Sequence, residues 1–269
     1  MVIDFHTHAF ADKIAEKAMG RLSLFADCTV PVTDGTLSDL LDKMDESGID
    51  RAVVLSIATK PSQHKIVNRW AAEIQNSRFY SFGSVHPDGD DALETLEHIK
   101  ELGLYGVKLH PDYQDFFADE ERIFPIYQKC SELGLPVSFH AGFDPISPDT
   151  IHATPAMFAK VLKEFPKLTA ILAHMGSMRL WDEVEKELAG KTGVNVYFDT
   201  SAVSEEIHPE QFKRIVRAHG PDRILFATDM PWDCPKRLLK LVKSCGFSAE
   251  DEEKILYKNA LELLNIGTD

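Results

Sequence analysis

A single α/β domain of 269 residues, folded as a (β/α)8 (TIM) barrel, is the architecture this sequence predicts. Three observations carry that reading. Short runs rich in Val, Ile, Phe and Leu recur eight times, most of them starting 25 to 33 residues after the previous one, the length of a βα unit. Longer segments with helical periodicity and terminal glycines separate them. No linker, low-complexity tract or repeat breaks the rhythm. No glycine-rich phosphate turn follows the first run, which favours the closed barrel over an open doubly wound sheet.

In chain order the first run is VIDFH (2–6). Residues 7–50 then hold a loop, the short amphipathic stretch ADKIAEKAM, and a first regular helix at about 36–48. Thr36 stands where an N-cap belongs and Gly48 where a C-terminal glycine does. RAVVLSI (51–57) and FYSFGSV (79–85) follow, and the helical segment DALETLEHIKELG closes at Gly103. Next come YGVKLH (105–110), the segment ERIFPIYQKCSELG ending at Gly134, and PVSFH (136–140). TAILAH (169–174), VNVYFDT (194–200) and RILFATD (223–229) complete the eight, and SAEDEEKILYKNALELL reads as a capped last helix.

Composition narrows the function. With 44% hydrophobic residues the chain can bury a large core. Its 43 acidic against 29 basic residues give a formal charge of −14, which repels nucleic-acid phosphates and anionic membranes. A small-molecule substrate is the expected partner, with a homo-oligomer left open. Cys28, Cys130, Cys234 and Cys245 are scattered and read as small hydrophobes in a reducing compartment. MVIDFHTHAF is neither a signal peptide nor an anchor, and no run nears the ~20 apolar residues of a membrane span. A soluble, cytoplasmic protein is expected.

In such a barrel the chemistry sits at the carboxyl ends of the strands. His6, His8, His86, His110, His140, His174 and Asp229 all fall at or just past those ends. His64, His98 and His219 fall in or near helices and read as surface residues, as do His152 and His208 in loops. His6 and His8 are two apart on one strand, so both face one side about 6–7 Å apart at Cα, within reach of one ion. HxH alone is weak. With a third imidazole from His140 and the Asp229 carboxylate it becomes a set suited to zinc or a similar divalent cation. Such an ion lowers the pKa of bound water, and a nearby imidazole can take or pass on the proton.

These residues resemble the amidohydrolase superfamily, in its branch of compact barrels related to the aminocarboxymuconate-semialdehyde decarboxylase group. IDFHTH, GVKLHP, PVSFHAG, ILAHMG and ILFATDMPW carry the likeness in order along nearly the whole chain. The resemblance implies one divalent metal, zinc above all with manganese or iron as substitutes, held by His6, His8, His140 and Asp229. It implies that His174 orients and deprotonates the attacking water and that Asp229 accepts a hydrogen bond from it. Two-metal members carry a carboxylated lysine after the fourth strand; here Lys108 and His110 are expected to contact substrate or water instead. His86, Arg179 and Trp232 join them as substrate-site candidates, with Phe143 and Tyr113 as apolar walls. Ser177 stands where relatives have a second glycine, and Met230 where they have an aromatic residue.

The expected reaction is hydrolysis of a small ester, lactone or amide by metal-activated water. Its rival, non-oxidative decarboxylation of a small unsaturated or aromatic acid, needs the same residues. The lean to hydrolysis rests on a compact chain without long insertions and on the departures near His174. A metal-dependent nuclease is disfavoured by the charge and by the lack of a Glu after the fourth strand. A non-catalytic barrel is disfavoured by the intact ligand set.

Overall fold

Eight parallel strands run in chain order around one sheet in the computed structural model, which describes residues 1–25 and 30–268. They are β1 (Ile3–Thr7), β2 (Arg51–Leu55), β3 (Phe79–Ser84), β4 (Val107–Leu109), β5 (Val137–Phe139), β6 (Ala170–Leu172), β7 (Val196–Asp199) and β8 (Ile224–Leu225). Each pairs with the next in parallel register, Val107 with Val137 and Phe139 with Leu172 for example. The ring closes between β8 and β1 through looser contacts. Phe5 N donates to Phe226 O at 2.8 Å, Asp229 N to His6 O at 2.7 Å and His8 N to Met230 O at 2.7 Å.

The eight apolar runs all become strands, but several stop short of their runs. β8 ends at Leu225, although the apolar run continues to Asp229. Thr228 explains the break: its backbone N–H and hydroxyl both donate to the buried Asp4 carboxylate, at 2.9 and 2.5 Å. Asp229 then takes a left-handed φ of 67°, which costs a non-glycine residue about 1–3 kcal/mol. β6 stops likewise before His174, where φ is 59°. The strand ends thus bend into the mouth of the barrel, where their side chains gather.

Helices α1 (Asp12–Leu22) and α2 (Leu37–Ser47) follow β1. The stretch ADKIAEKAM therefore lies within a full helix, anchored by Ala15 and Met19 on its buried face. Thr36 accepts from Asp39 N at the head of α2, and Gly48 ends it at φ 72°, where a Cβ would be strained. The closing segment is helical from Ala249 to Leu264, with a π-helical turn at Lys254–Lys258. Val107 and Leu109 join the apolar layer between sheet and helices, so Lys108 between them points into the barrel. A second buried cluster, built on Ile3, Phe5, Val53, Leu55 and Phe82, joins Leu261 and Leu264 of the last helix.

Cys130, Cys234 and Cys245 are free, while Cys28 lies outside the described residues. Among those residues no helix is long and apolar enough to cross a membrane. The surface reading of the helix histidines needs correction. His98 is exposed, but His64 and His219 are buried, His64 against Asp91 at 2.9 Å and His219 donating to Val196 O at 2.9 Å. Helix faces that meet the sheet bury whatever they carry, and each of these rings finds a polar partner there.

Candidate active site

His6 and His8 leave β1 side by side, and their tautomers follow from their neighbours. His6 Nδ1 lies 2.9 Å from Asp199 Oδ2. His8 Nδ1 lies 2.8 Å from the Leu55 carbonyl. Both partners only accept, so both Nδ1 atoms carry the proton and both Nε2 atoms are bare. Those Nε2 atoms are 3.2 Å apart, and Asp229 Oδ1 stands 3.5 Å from the first and 3.1 Å from the second. Three acceptors facing one another repel unless positive charge lies beside them, and Lys108 Nζ reaches only as far as His6 Nε2, at 3.3 Å. Spacing and donor type both suit a zinc- or manganese-sized ion.

Lys108 Nζ reaches the same place, 3.3 Å from His6 Nε2. Burial pushes its ammonium down to about 8, against the pull of Asp199 and Asp229. Asp199 and Asp229 go the other way. Burial alone would raise both, but His6 beside each, with His8 on Asp229, holds them well below the usual carboxylate range.

His174 hangs from Asp199 as well. Asp199 Oδ1 accepts from His174 N at 3.0 Å, from Ser201 N at 3.0 Å and from Ser201 Oγ at 2.5 Å. Met175 N donates to the Asp199 carbonyl at 2.7 Å, and Trp181 Nε1 to the His174 carbonyl at 3.0 Å. These bonds hold His174 and Met175 in their left-handed conformations. The His174 ring has Nδ1 3.0 Å from the Ser201 carbonyl and Nε2 3.0 Å from His140 Nδ1.

His140, expected to share a metal with His6, His8 and Asp229, lies within the electrostatic reach of His6, Asp229 and Lys108. Its ring stacks on His110 at 4.2 Å, and its Nε2 faces Asp112 and Asp144. Gly142, two residues on, passes so close to the Met178 backbone, at φ 93°, that any Cβ would collide with it. His110 caps a short helix by accepting from Tyr113 N at 3.4 Å, and its Nε2 is 3.5 Å from Asp144 Oδ2. Burial lowers both imidazoles well below their usual value and raises Asp144 to about 7. His152 is only 12% exposed and sits 3.6 Å from Asp112 Oδ1, where a surface position was expected.

The remaining candidates fall outside these two groups. His86 is buried, but its Nδ1 accepts from Asp88 N in a turn, and its charged neighbours are Asp88, His64 and Arg122. Arg179 grips Glu206 with two nitrogens, at 2.7 and 2.5 Å, and lies 4.3 Å over the Phe143 ring. Trp232 is half-buried, its backbone N–H on the Asp229 carbonyl at 2.7 Å. Sequence reasoning missed Asp199, Ser201, Asp112 and Asp144. Asp199 is the last residue of β7, next to the end of the run VNVYFDT, so the strand-end rule that found Asp229 would have found it. Asp112 and Asp144 lie two and four residues past their strand-end histidines, where no period marks them.

Comparison with known proteins places this geometry in context. A family model described as Amidohydrolase matches residues 3–266. Gamma-resorcylate decarboxylase of Polaromonas sp. (strain JS666) is 22% identical over 94% of this chain and 95% of its own. The 2-amino-3-carboxymuconate-6-semialdehyde decarboxylase of Dictyostelium discoideum is 26% identical over 70% of this chain and 62% of its own. Among solved structures, a dihydroxybenzoic acid decarboxylase of Polaromonas sp. JS666, with bound manganese and the inhibitor 2-nitroresorcinol, superposes with a TM-score of 0.69. It is 18% identical, over 98% of this chain and 96% of that one.

These relatives overturn the expectation of hydrolysis. The lean to hydrolysis rested on compactness and on the departures near His174, and neither outweighs curated relatives that are decarboxylases. The ligand types were silent on the point, since polarising a carbonyl and holding a carboxylate draw on the same cation.

Proposed function

Because the chain belongs to the amidohydrolase family, we propose that it removes carbon dioxide, without oxidation, from a small aromatic or unsaturated carboxylic acid. The observation that carries this reading is the convergence of His6, His8 and Asp229 beside Lys108 and His174, in a chain whose curated relatives are decarboxylases. His6, His8 and Asp229 would hold one divalent cation of the zinc or manganese class. When bound, it supplies positive charge that orients the substrate's carboxylate and offsets charge building on the organic skeleton.

The protein's own groups divide the rest of the work. The Lys108 ammonium stands beside His6 and pairs with an oxygen of the substrate. When the C–C bond breaks, carbon dioxide leaves without the bonding pair, which stays on the carbon. That carbon must gain one proton in place of the lost carboxylate. His174 would supply it, its ring held by the Ser201 carbonyl on one side and His140 on the other. Deep burial of the strand-end residues keeps bulk water from competing as proton donor.

The test is a turnover assay in D2O. Metal-loaded protein is incubated with hydroxylated benzoic acids and unsaturated amino- or hydroxy-acids, and released carbon dioxide is measured alongside product mass. Carbon dioxide together with one deuterium at the vacated carbon supports the reading. Retention of every acid across the panel, by protein that holds its metal, would sink it.

A further inference from the structure

The loops after β4 and β5 bring two carboxylates to the barrel mouth and leave both short of donors. Asp112 Oδ1 accepts from Ser147 Oγ, but Oδ2 is buried with no hydrogen-bond partner among the described residues, on a side chain 0% exposed. It lies 3.9 Å from His110 Nδ1, which already accepts from Tyr113 N and has no proton to offer. Asp144 Oδ1 accepts from Ile146 N at 2.8 Å. Its Oδ2 faces the protonated Nε2 of the same His110 ring at 3.5 Å, too far for a good hydrogen bond. Burial raises both carboxyls above their ordinary value. The Asp144 side chain is 11% exposed, so it is the one that a ligand can touch, with Asp112 adding charge behind it.

These carboxylates share the mouth with the metal group. Tyr113 packs its ring edge-on to His110 at 4.3 Å, and its phenol feels the charges of Asp144, Asp229 and Asp112. Asp144 is also within electrostatic reach of Asp229 and the Lys108 ammonium. An acid whose carboxylate is held beside Lys108 therefore turns another part of itself toward Asp144. A buried acceptor without a donor is costly, and a ligand that brings the donor relieves it. A second anion there would instead meet two carboxylates where the dielectric is low. This rests on the decarboxylation reading: we propose that the acid carries a hydroxyl or amino group that donates to Asp144, and that Asp144 and Asp112 together exclude a second carboxylate from that side. The substrate class is then a hydroxy- or amino-substituted monocarboxylic acid, not a dicarboxylic one. Asp144 selects the substituent and takes no part in breaking the C–C bond.

The experiment ranks ligands by binding. Metal-loaded full-length protein is titrated by calorimetry with hydroxy-, amino-, methoxy- and carboxy-substituted benzoic acids, each in its three ring isomers, and carbon dioxide is followed separately. At one ring position or more, the hydroxy or amino acid should bind about 10–100-fold tighter than its methoxy counterpart, with the dicarboxylic acid weakest. Asp144→Ala should bring the hydroxy and methoxy acids within about threefold of each other. Asp144→Asn, which keeps an acceptor oxygen without the charge, should hold much of that preference and admit the dicarboxylic acid about tenfold better. Methoxy acids that bind as well as hydroxy acids to the parent at every position overturn the proposal, whether or not the variants fold. So does a dicarboxylic acid that binds best, or a preference that survives in folded Asp144→Ala. Loss of the metal from that folded variant would make Asp144 a ligand and overturn it too. Donor preference without released carbon dioxide would keep this selectivity and sink the decarboxylation reading; carbon dioxide without the preference would do the reverse.

Discussion

His219 offers the sharpest test of the fold's energetics, because it lies away from the site, with Arg223 as a charged neighbour that adds to the lowering of its pKa. Its ring stacks on Phe198 at 3.8 Å and donates through Nε2 to Val196 O, while Nδ1 has no partner. Burial, opposed only in part by the Val196 carbonyl, lowers it from 6.5 to about 4. A histidine with a depressed folded pKa costs nothing above the unfolded value, where both states are neutral. Between pH 6.5 and about 4 the unfolded chain takes up a proton that the folded one refuses, so stability falls as pH falls. At 1.36 kcal/mol per pH unit, the loss from this residue approaches roughly 3 kcal/mol. His219→Gln keeps a donor of similar reach and removes the titration. At pH 7 the variant should be about 1 kcal/mol less stable for want of the ring stacking. The gap should then narrow and reverse as pH drops toward 4. Urea midpoints across that range measure it. Parallel curves for parent and variant would falsify the assignment of a buried, neutral His219.

Three further outcomes follow from the site and its supports. Asp199→Asn keeps an acceptor for His174 N but turns an amide N–H toward the His6 Nδ1 proton, and should cut metal affinity about 10–100-fold, by dialysis, in a folded protein; unchanged affinity would reduce Asp199 to a packing role. His174→Asn should keep its metal and lose about 10²–10⁴-fold in kcat, and activity within threefold of the parent would remove it from proton transfer. Gly142→Ala forces the chain off the Met178 backbone and should cost about 2–3 kcal/mol in urea unfolding; a neutral result would mean that the loops after β5 and β6 separate freely.

The barrel was legible because its signal is redundant: eight apolar runs at βα spacing survive an error in any one of them. The strand ends were less so. Nothing in RILFATD says that Thr228 will turn from the ladder to the Asp4 carboxylate, since that bond joins residues 224 apart. The pairing of His6, His8 and Asp229 was readable, because HxH fixes a local geometry and the last strand of a closed barrel lies beside the first. For His140, period two aims the side chain inward but leaves free which ring nitrogen meets which neighbour; its Nδ1 meets His174, whose other ring nitrogen lies on the Ser201 carbonyl. The helix histidines failed for a related reason. Exposure depends on which helix face meets the sheet, and His219 sits on the packed face of a helix that also buries Ile215 and Val216.

Charge explains why the mouth of this barrel calls for cations. Asp4, Asp112, Asp144, Asp199 and Asp229 all have largely buried side chains, and Lys108 is the one buried lysine among the described residues. Neighbouring imidazoles do not make up the difference, since burial holds His6, His110 and His140 in the neutral form. Burial raises Asp4 to about 7, against the two hydrogen bonds it accepts from Thr228. Asp199 and Asp229 instead stay ionised, kept so by the hydrogen bonds and imidazoles around them. An ion bound by the folded chain alone stabilises it by RT ln(1 + [L]/Kd), about 2.7 kcal/mol at a hundred times Kd. The arrangement that readies the site for chemistry is therefore one the fold tolerates best when loaded. The left-handed backbones of His174 and Asp229 add to that cost, and they place the strain on two residues of the proposed site.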